Sequence, residues 1–426
     1  MSHQVSAAAD ANQGPKAVRG GQPISNGDLV AHLASLIRLE NVGVFLGAGA
    51  SVGEPGGRTV GQVWGSFIEG SPEAVEFLRS RGFLGGPASS TPDVEELLDR
   101  IEIALMEMER RGESRTQRWL SDARDELRRH LFRAALLDPG WWEDGSDPER
   151  LIKRLPHHRA LLQKLAGARS PGQPMPWVFT TNYDLALELA AETAGLHVVN
   201  GFAGLHHRTF ASQHFTLGFQ NTLARGQARF GAYGIALAKL HGSLTWYRSP
   251  DGLSLRERSM TEAWQDLAPF LDGQSGRSWD GLVLPSAAKY SQTVGFVTGE
   301  LLRRFNEFLT RPQTALLVSG YSFSDAHLNR ILASALLNPT FHLVIYLPEF
   351  RSEGQEVKDW IAQIEEACLP QVTLVGGGER AHFSRMVQDL PDPTLIDSRS
   401  EEITRSIRTL MTAAKRRGDH DRQLGQ

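Results

Sequence analysis

Val42-Gly43-Val44-Phe45-Leu46 runs directly into Gly47-Ala48-Gly49-Ala50-Ser51. An uninterrupted apolar run of this length reads as a strand buried on both faces, the kind a parallel sheet requires. The small residues after it form a turn that a second backbone can approach closely. Glycine lacks a side chain and tolerates positive φ, so such a turn can cradle a diphosphate with free N–H groups at a helix N-terminus. Ser51 can cap the following helix or bond a phosphate. Turns of small residues also serve packing alone, and the stretch leaves both readings open. It is not a complete dehydrogenase fingerprint. Gly47 and Gly49 fit G-x-G, but Val52 stands where a third glycine belongs, and no strand ending in an acidic residue follows about 20 residues later.

Upstream, Ser25 and Asn26 cap a predicted helix reaching about residue 38, with Leu29, Leu33, Leu36 and Ile37 on one face. Residues 1–24 are polar, lack the apolar core of a secretory signal, and read as disordered. Downstream, residues 72 to about 150 read as all-helical, an insertion or cap. Val94, Leu97, Leu98, Ile101, Leu105 and Met108 recur at helical spacing before Gly112, and a second helix spans roughly 114–137. Strand and helix then alternate. Strands are predicted at 177–180, 235–240, 282–284, 315–319, 343–347 and 372–375. Helices are predicted at 158–166, 184–194, 297–309, 325–337 and 355–367. The predicted fold class is α/β: a Rossmann-like parallel sheet with helices on both faces, plus the all-helical insertion. The predicted core unit spans 25–398. A final helix at 399–416 carries Ile403, Ile407, Leu410 and Met411 on one face, and 417–426 reads as a flexible tail.

Net charge is −4, so no basic bias favours nucleic-acid binding by the whole surface. The single cysteine, Cys368, excludes an internal disulfide and a cysteine-rich zinc site. It reads as a small buried hydrophobe at a helix end, in a cytoplasmic protein. No run approaches the roughly 18 apolar residues of a membrane span. His206 and His207 lack nearby carboxylates at ligand spacing, and no metal is expected.

Ligands of parallel α/β sheets lie at the carboxyl ends of the strands, where the remaining motifs fall. Trp177-Val178-Phe179 ends in Thr180-Thr181-Asn182-Tyr183-Asp184. Asp184 can cap the next helix. Asn182 can brace the loop, or its amide can hold a water or a ribose hydroxyl. The strand at 235–240 ends in Leu240-His241-Gly242-Ser243, placing an imidazole to face a cleft, where it could take a proton near neutral pH. A third turn, Ser319-Gly320-Tyr321-Ser322-Phe323-Ser324-Asp325, precedes another helix, which Asp325 can cap.

As an ordered set these motifs resemble the sirtuin-like superfamily, which carries a Gly-Ala-Gly turn, a Gln-Asn-x-Asp loop and a His-Gly pair in that order. The matching residues are Gly47-Ala48-Gly49-Ala50-Ser51, Thr181-Asn182-Tyr183-Asp184 and His241-Gly242. The forms Thr-Thr-Asn-Tyr-Asp, Lys-Leu-His-Gly-Ser-Leu and Gly-Tyr-Ser-Phe-Ser-Asp look closer to its bacterial antiphage-defence branch. The resemblance covers about residues 27–390. It implies that Gly47, Ala48, Gly49 and Ser51 bind the diphosphate of NAD, and that Asn182 positions a water near the ribose anomeric carbon. It implies Thr181 among the NAD-binding residues, Asp184 at the nicotinamide ribose, His241 as base toward a ribose hydroxyl, and Gly320 and Ser322 at the adenosine side. Two departures count against a deacylase. The four-cysteine zinc module is impossible here, and Gly53-Glu54-Pro55-Gly56-Gly57-Arg58 replaces the family's Asp-Phe-Arg segment.

The implied activity is NAD+ glycohydrolysis to ADP-ribose and nicotinamide, depleting NAD in antiphage defence. An ungated hydrolase would kill its host, so gating by a partner, a ligand or assembly is implied, and the resemblance also implies a homo-oligomer and a HerA-type ATPase partner. The alternatives are a protein ADP-ribosyltransferase or deacylase, and a non-catalytic NAD or ADP-ribose sensor.

Overall fold

Strand β3 (Asn41–Leu46) is buried along its whole length and lies near the middle of a nine-stranded sheet. The computed structural model describes residues 16–85, 94–112, 114–143, 148–170, 172–217, 234–249, 251–274, 293–352 and 357–393. The sheet contains β1 (Lys16–Arg19), β2 (Gln22–Ile24), β3, β4 (Trp177–Thr180), β5 (His197–Val199), β8 (Gly234–Lys239), β11 (Thr314–Ser319), β12 (Phe341–Tyr346) and β13 (Val372–Gly376). Their spatial order is β2-β1-β13-β12-β11-β3-β4-β8-β5. The seven strands from β13 to β5 are parallel, and β1 and β2 add antiparallel at one edge. The expected parallel α/β core is therefore present.

Alternation within the strands sends side chains to two hydrophobic cores, as a sheet covered on both faces requires. In β11, Ala315 and Leu317 face one core with Leu29, Leu33, Leu161 and Leu165. Leu316 and Val318 face the other, with Leu301, Phe305, Leu328 and Ile361. Gly43 belongs to the second face, where a Cβ would come within 2.8 Å of the Phe308 ring.

The helical layer is present and larger than expected. It comprises Val60–Gly70, Pro72–Ser80, Val94–Arg111, Ser114–Ala135, Gly140–Glu143 and Pro148–Arg154, joined by the distant helix Met260–Leu271. That last helix starts in a capping box of Ser259 and Glu262. It docks through Phe270 on Phe132 and Trp264 on Trp142, and Arg129 and Arg133 donate to the carbonyls of Phe270 and Leu271 at its end.

Three further features depart from the sequence reading. Residues 16–24, expected to be disordered, form the β1–β2 hairpin. Ala17 and Val18 are buried in it, and these small and branched residues suffice to pair with β13. A second, antiparallel sheet, β6-β7-β10-β9, is built from β6 (Phe202–Ala203), β7 (Arg208–Phe210), β9 (Trp246–Arg248) and β10 (Leu255–Glu257). Cys368 is exposed, not buried. It follows the helix Asp359–Glu366 at φ 48°, and this left-handed ending turns it outward. The strand expected at 282–284 and the helix at 399–416 lie outside the described residues. No helix among the described residues is long and apolar enough to cross a membrane.

Candidate active site

Ser319, Leu46, Thr180 and Lys239 stand abreast on β11, β3, β4 and β8. The chain therefore leaves four adjacent strands along one carboxyl edge, and the three strand-end motifs and the late turn all sit on it. Between β3 and β11 the connectivity diverges, since the chain first builds toward β5 and then returns to build toward β13. Such a switch point is where open α/β sheets hold ligands.

The first and last turns interlock. Gly47 N donates to the Ser319 carbonyl at 3.1 Å and Gly49 N to the Gly320 carbonyl at 2.9 Å. A Cβ on Gly47 would sit 2.5 Å from Gly320 O, and one on Gly320, at φ 69°, would sit 2.3 Å from Ala50 N. The glycines thus let two turns touch backbone to backbone, and two amides expected to be free are already engaged. Ala48 to Ser51 follow as a single 3₁₀ turn.

Beside this turn lies a buried polar group. Ser51 Oγ donates to Asp184 Oδ2 at 2.8 Å and accepts from Asn182 Nδ2 at 3.1 Å. Asp184 Oδ1 accepts from Ala186 N at 3.0 Å, but the residue at the cap of the helix Ala186–Thr193 is Leu185, so Asp184 braces the turn into the helix and is not the expected cap. Thr180 Oγ1 donates to the Leu46 carbonyl and accepts from Asn182 N, tying the loop to β3. Lys239, one strand over, donates to the Asp184 carbonyl and pairs with Glu188 at 2.9 Å. Burial pushes the Glu188 carboxyl up, against the pull of Lys239. Asn182 is only 9% exposed, yet its Oδ1 has no partner among the described residues.

His241, at the end of β8, is also buried. Its Nε2 lies 3.3 Å from Asp325 Oδ2. The other oxygen of Asp325 caps the helix Ala326–Ala335, accepting from His327 N at 2.8 Å and Leu328 N at 3.1 Å. Burial raises the Asp325 carboxyl, but hydrogen bonds from His241 and the two amides outweigh it and hold the group below the ordinary carboxylate range. The late turn is stiffened by Tyr321, which donates to Asn329 and the Asp325 carbonyl, while Asn329 donates to the Phe323 carbonyl.

Ser51, Asn182 and Asp184 are thus joined directly. Thr181 is half-buried beside them, its N donating to the Leu46 carbonyl. Ala48 and Gly320 lie half-buried at the interlocked turns. Ser322 stands apart, exposed and bonded to Ser324. Two contributors were not singled out in advance, Lys239 as a brace and Asp325 as partner of His241. A lysine in the otherwise apolar stretch at 234–240 was the available signal for the first. Nothing in the chain joins residue 325 to 241 until the sheet places β11 two strands from β8's neighbour.

Residues 176–366 match the model of a SIR2-like domain. The match supports a Sir2-like family. No curated protein matches the chain. The SIR2-like segment holds Asn182, Asp184, His241 and Asp325 but starts after β3. The Gly47–Ser51 turn, which completes the edge, comes from outside it.

Proposed function

We propose that this chain hydrolyses NAD+ between nicotinamide and ribose, releasing nicotinamide and ADP-ribose. The observation that carries the reading is the Asn182 carboxamide. Its nitrogen is fixed on Ser51 while its oxygen is buried without a donor among the described residues, at the carboxyl edge where parallel α/β sheets bind ligands. A buried acceptor left unpaired costs about 1–3 kcal/mol, so a position that retains one is suited to receive a water or a hydroxyl. The SIR2-like match supports NAD as the substrate class.

The nicotinamide ring of NAD+ carries positive charge on its nitrogen and leaves as a neutral base. The ribose passes through an oxocarbenium-like state, and water adds to the anomeric carbon and loses one proton. Asn182 would hold that water. His241 would accept a proton from a ribose hydroxyl. Thr181 and Asp184 would orient the nicotinamide ribose. Gly47, Ala48, Gly49 and Ser51 would line the diphosphate, and Gly320 and Ser322 the adenosine side. The resemblance to the antiphage branch extends the proposal to NAD depletion on infection, gated by homo-oligomer formation or a HerA-type ATPase.

Purified protein incubated with NAD+, alone and with partners co-purified from its operon, tests this by chromatography of nicotinamide and ADP-ribose. Turnover that falls roughly 100-fold or more in Asn182→Ala and His241→Ala, with NAD still bound, is the expected result. Binding without turnover in every assembly would sink the hydrolase and favour a sensor.

A further inference from the structure

We infer that Arg154, on the short helix Pro148–Arg154 of the helical layer, is a substrate-binding residue whose guanidinium pairs with the diphosphate of the dinucleotide. The inference deepens the proposed NAD+ site and rests on that reading.

A diphosphate is doubly negative, and the Gly47–Ser51 turn offers it little. The turn contains no charged residue. Its amides at Gly47, Gly49 and Ala50 donate to the carbonyls of Ser319, Gly320 and Gly47. A counter-charge has to come from outside the turn. After Ser51 the chain doubles back, and Gly57 N donates to the Ser51 carbonyl at 2.8 Å. A Cβ on the adjacent Gly56 would lie 2.9 Å from the Leu137 carbonyl and 3.5 Å from a terminal nitrogen of Arg154. The helical layer thus meets the backbone next to the turn, and Arg154 stands at that junction.

Arg154 is held loosely there. Its guanidinium is 4.0 Å from Asp138 Oδ2, the oxygen that Arg150 already occupies, while Asp138 Oδ1 accepts from Gly140 N at 3.0 Å. The Arg154 side chain is 43% exposed and makes no hydrogen bond to another described residue. Its neighbour His157 faces Glu54 at 3.4 Å. Arg58, on the same loop as Gly56, is exposed and is the competing source of charge. A guanidinium presents paired N–H donors in a fork that fits two phosphate oxygens, and it stays charged at physiological pH. The distant contact with Asp138 orients that fork without neutralising it.

The full chain carrying Arg154→Gln or Arg154→Lys is titrated with ADP-ribose, the diphosphate-bearing product of the proposed reaction, over a series of salt concentrations. Arg58→Gln serves as the comparison. Arg154→Gln is expected to weaken ADP-ribose roughly 10-fold or more and to flatten the salt dependence, with the melting temperature near the parent's. Arg154→Lys keeps the charge but not the fork, so it should retain the salt dependence and regain part of the affinity. For NAD+, KM should rise with kcat little changed, as for an interaction made equally in ground state and transition state. Unaltered affinity in Arg154→Gln, a loss with no change in salt dependence, or a loss confined to Arg58→Gln would overturn the assignment. If the parent binds ADP-ribose yet hydrolyses no NAD+ in any assembly, the hydrolase fails and the affinities still decide the role of Arg154. A parent that binds no ADP-ribose in any assembly overturns both.

Discussion

At the scale of single residues, the site depends on atoms that are absent as much as on those present. Gly320 can take no Cβ, because Ala50 N lies 2.3 Å from where one would be, and its φ of 69° disfavours any L side chain. Gly320→Ala is therefore expected to lose about 2–4 kcal/mol and to weaken NAD binding, as thermal melts and a titration would show. A variant as stable as the parent would mean the two turns can separate without harm. The glycine-rich turn was legible in the sequence as a close approach, but not what approaches. What the sequence did not offer is that the amides of Gly47 and Gly49 bond the Ser319 and Gly320 carbonyls and that both glycines pack against Gly320. That pairing joins residues about 270 positions apart and leaves no local pattern.

At the scale of elements, Lys239 on β8 holds the loop after β4 and the helix Ala186–Thr193 together through Asp184 and Glu188. Lys239→Met leaves Glu188 buried without its cation, which is expected to cost about 3–5 kcal/mol by urea unfolding. Adding Glu188→Leu should recover most of that stability. NAD turnover should stay low, because the Asp184 carbonyl has still lost its donor. Recovery of both would show that the ion pair only packs. Long apolar strands and amphipathic helices were legible because their periodicity is strong. The small β6-β7-β10-β9 sheet was not, since β7 reads Arg-Thr-Phe and β10 Leu-Arg-Glu, too short and polar to show a period. The helix Met260–Leu271 was missed for a different reason: its partners Phe132 and Trp142 lie in the early helical block.

At the scale of the whole molecule, two predictions concern stability. The first is acid sensitivity. Burial lowers His158, packed on Phe383 at 4.7 Å, from 6.5 to about 4. Between those values the unfolded chain binds a proton that the folded one refuses, so stability falls as pH drops from about 6.5 to about 4. The slope from this group is at most about 1.4 kcal/mol per pH unit. His32, also lowered to about 4 by burial and by Arg19 and His342, acts in the same direction. His158→Phe should narrow the gap between urea midpoints at pH 7 and pH 5, and an unchanged gap would place the sensitivity elsewhere. The second concerns the sheet's edge. The β1–β2 hairpin covers β13, so removing residues 1–24 should lower the melting temperature and produce concentration-dependent association in light scattering. A truncated chain that stays monodisperse and equally stable would deny the hairpin that role.

The central strand has a consequence for biosynthesis. β3 is made early, yet its two neighbours in the sheet are β4 and β11, and β11 ends at Ser319. A nascent chain on the ribosome can already display Asn182 and His241 while β3 still has an open flank and Asp325 has not emerged. The carboxyl edge that carries the candidate site comes together only when about three-quarters of the chain has been translated, because parallel pairing waits for its distant partner. If the proposed hydrolysis of NAD+ holds, this topology would leave unfinished copies without an assembled site during their own synthesis.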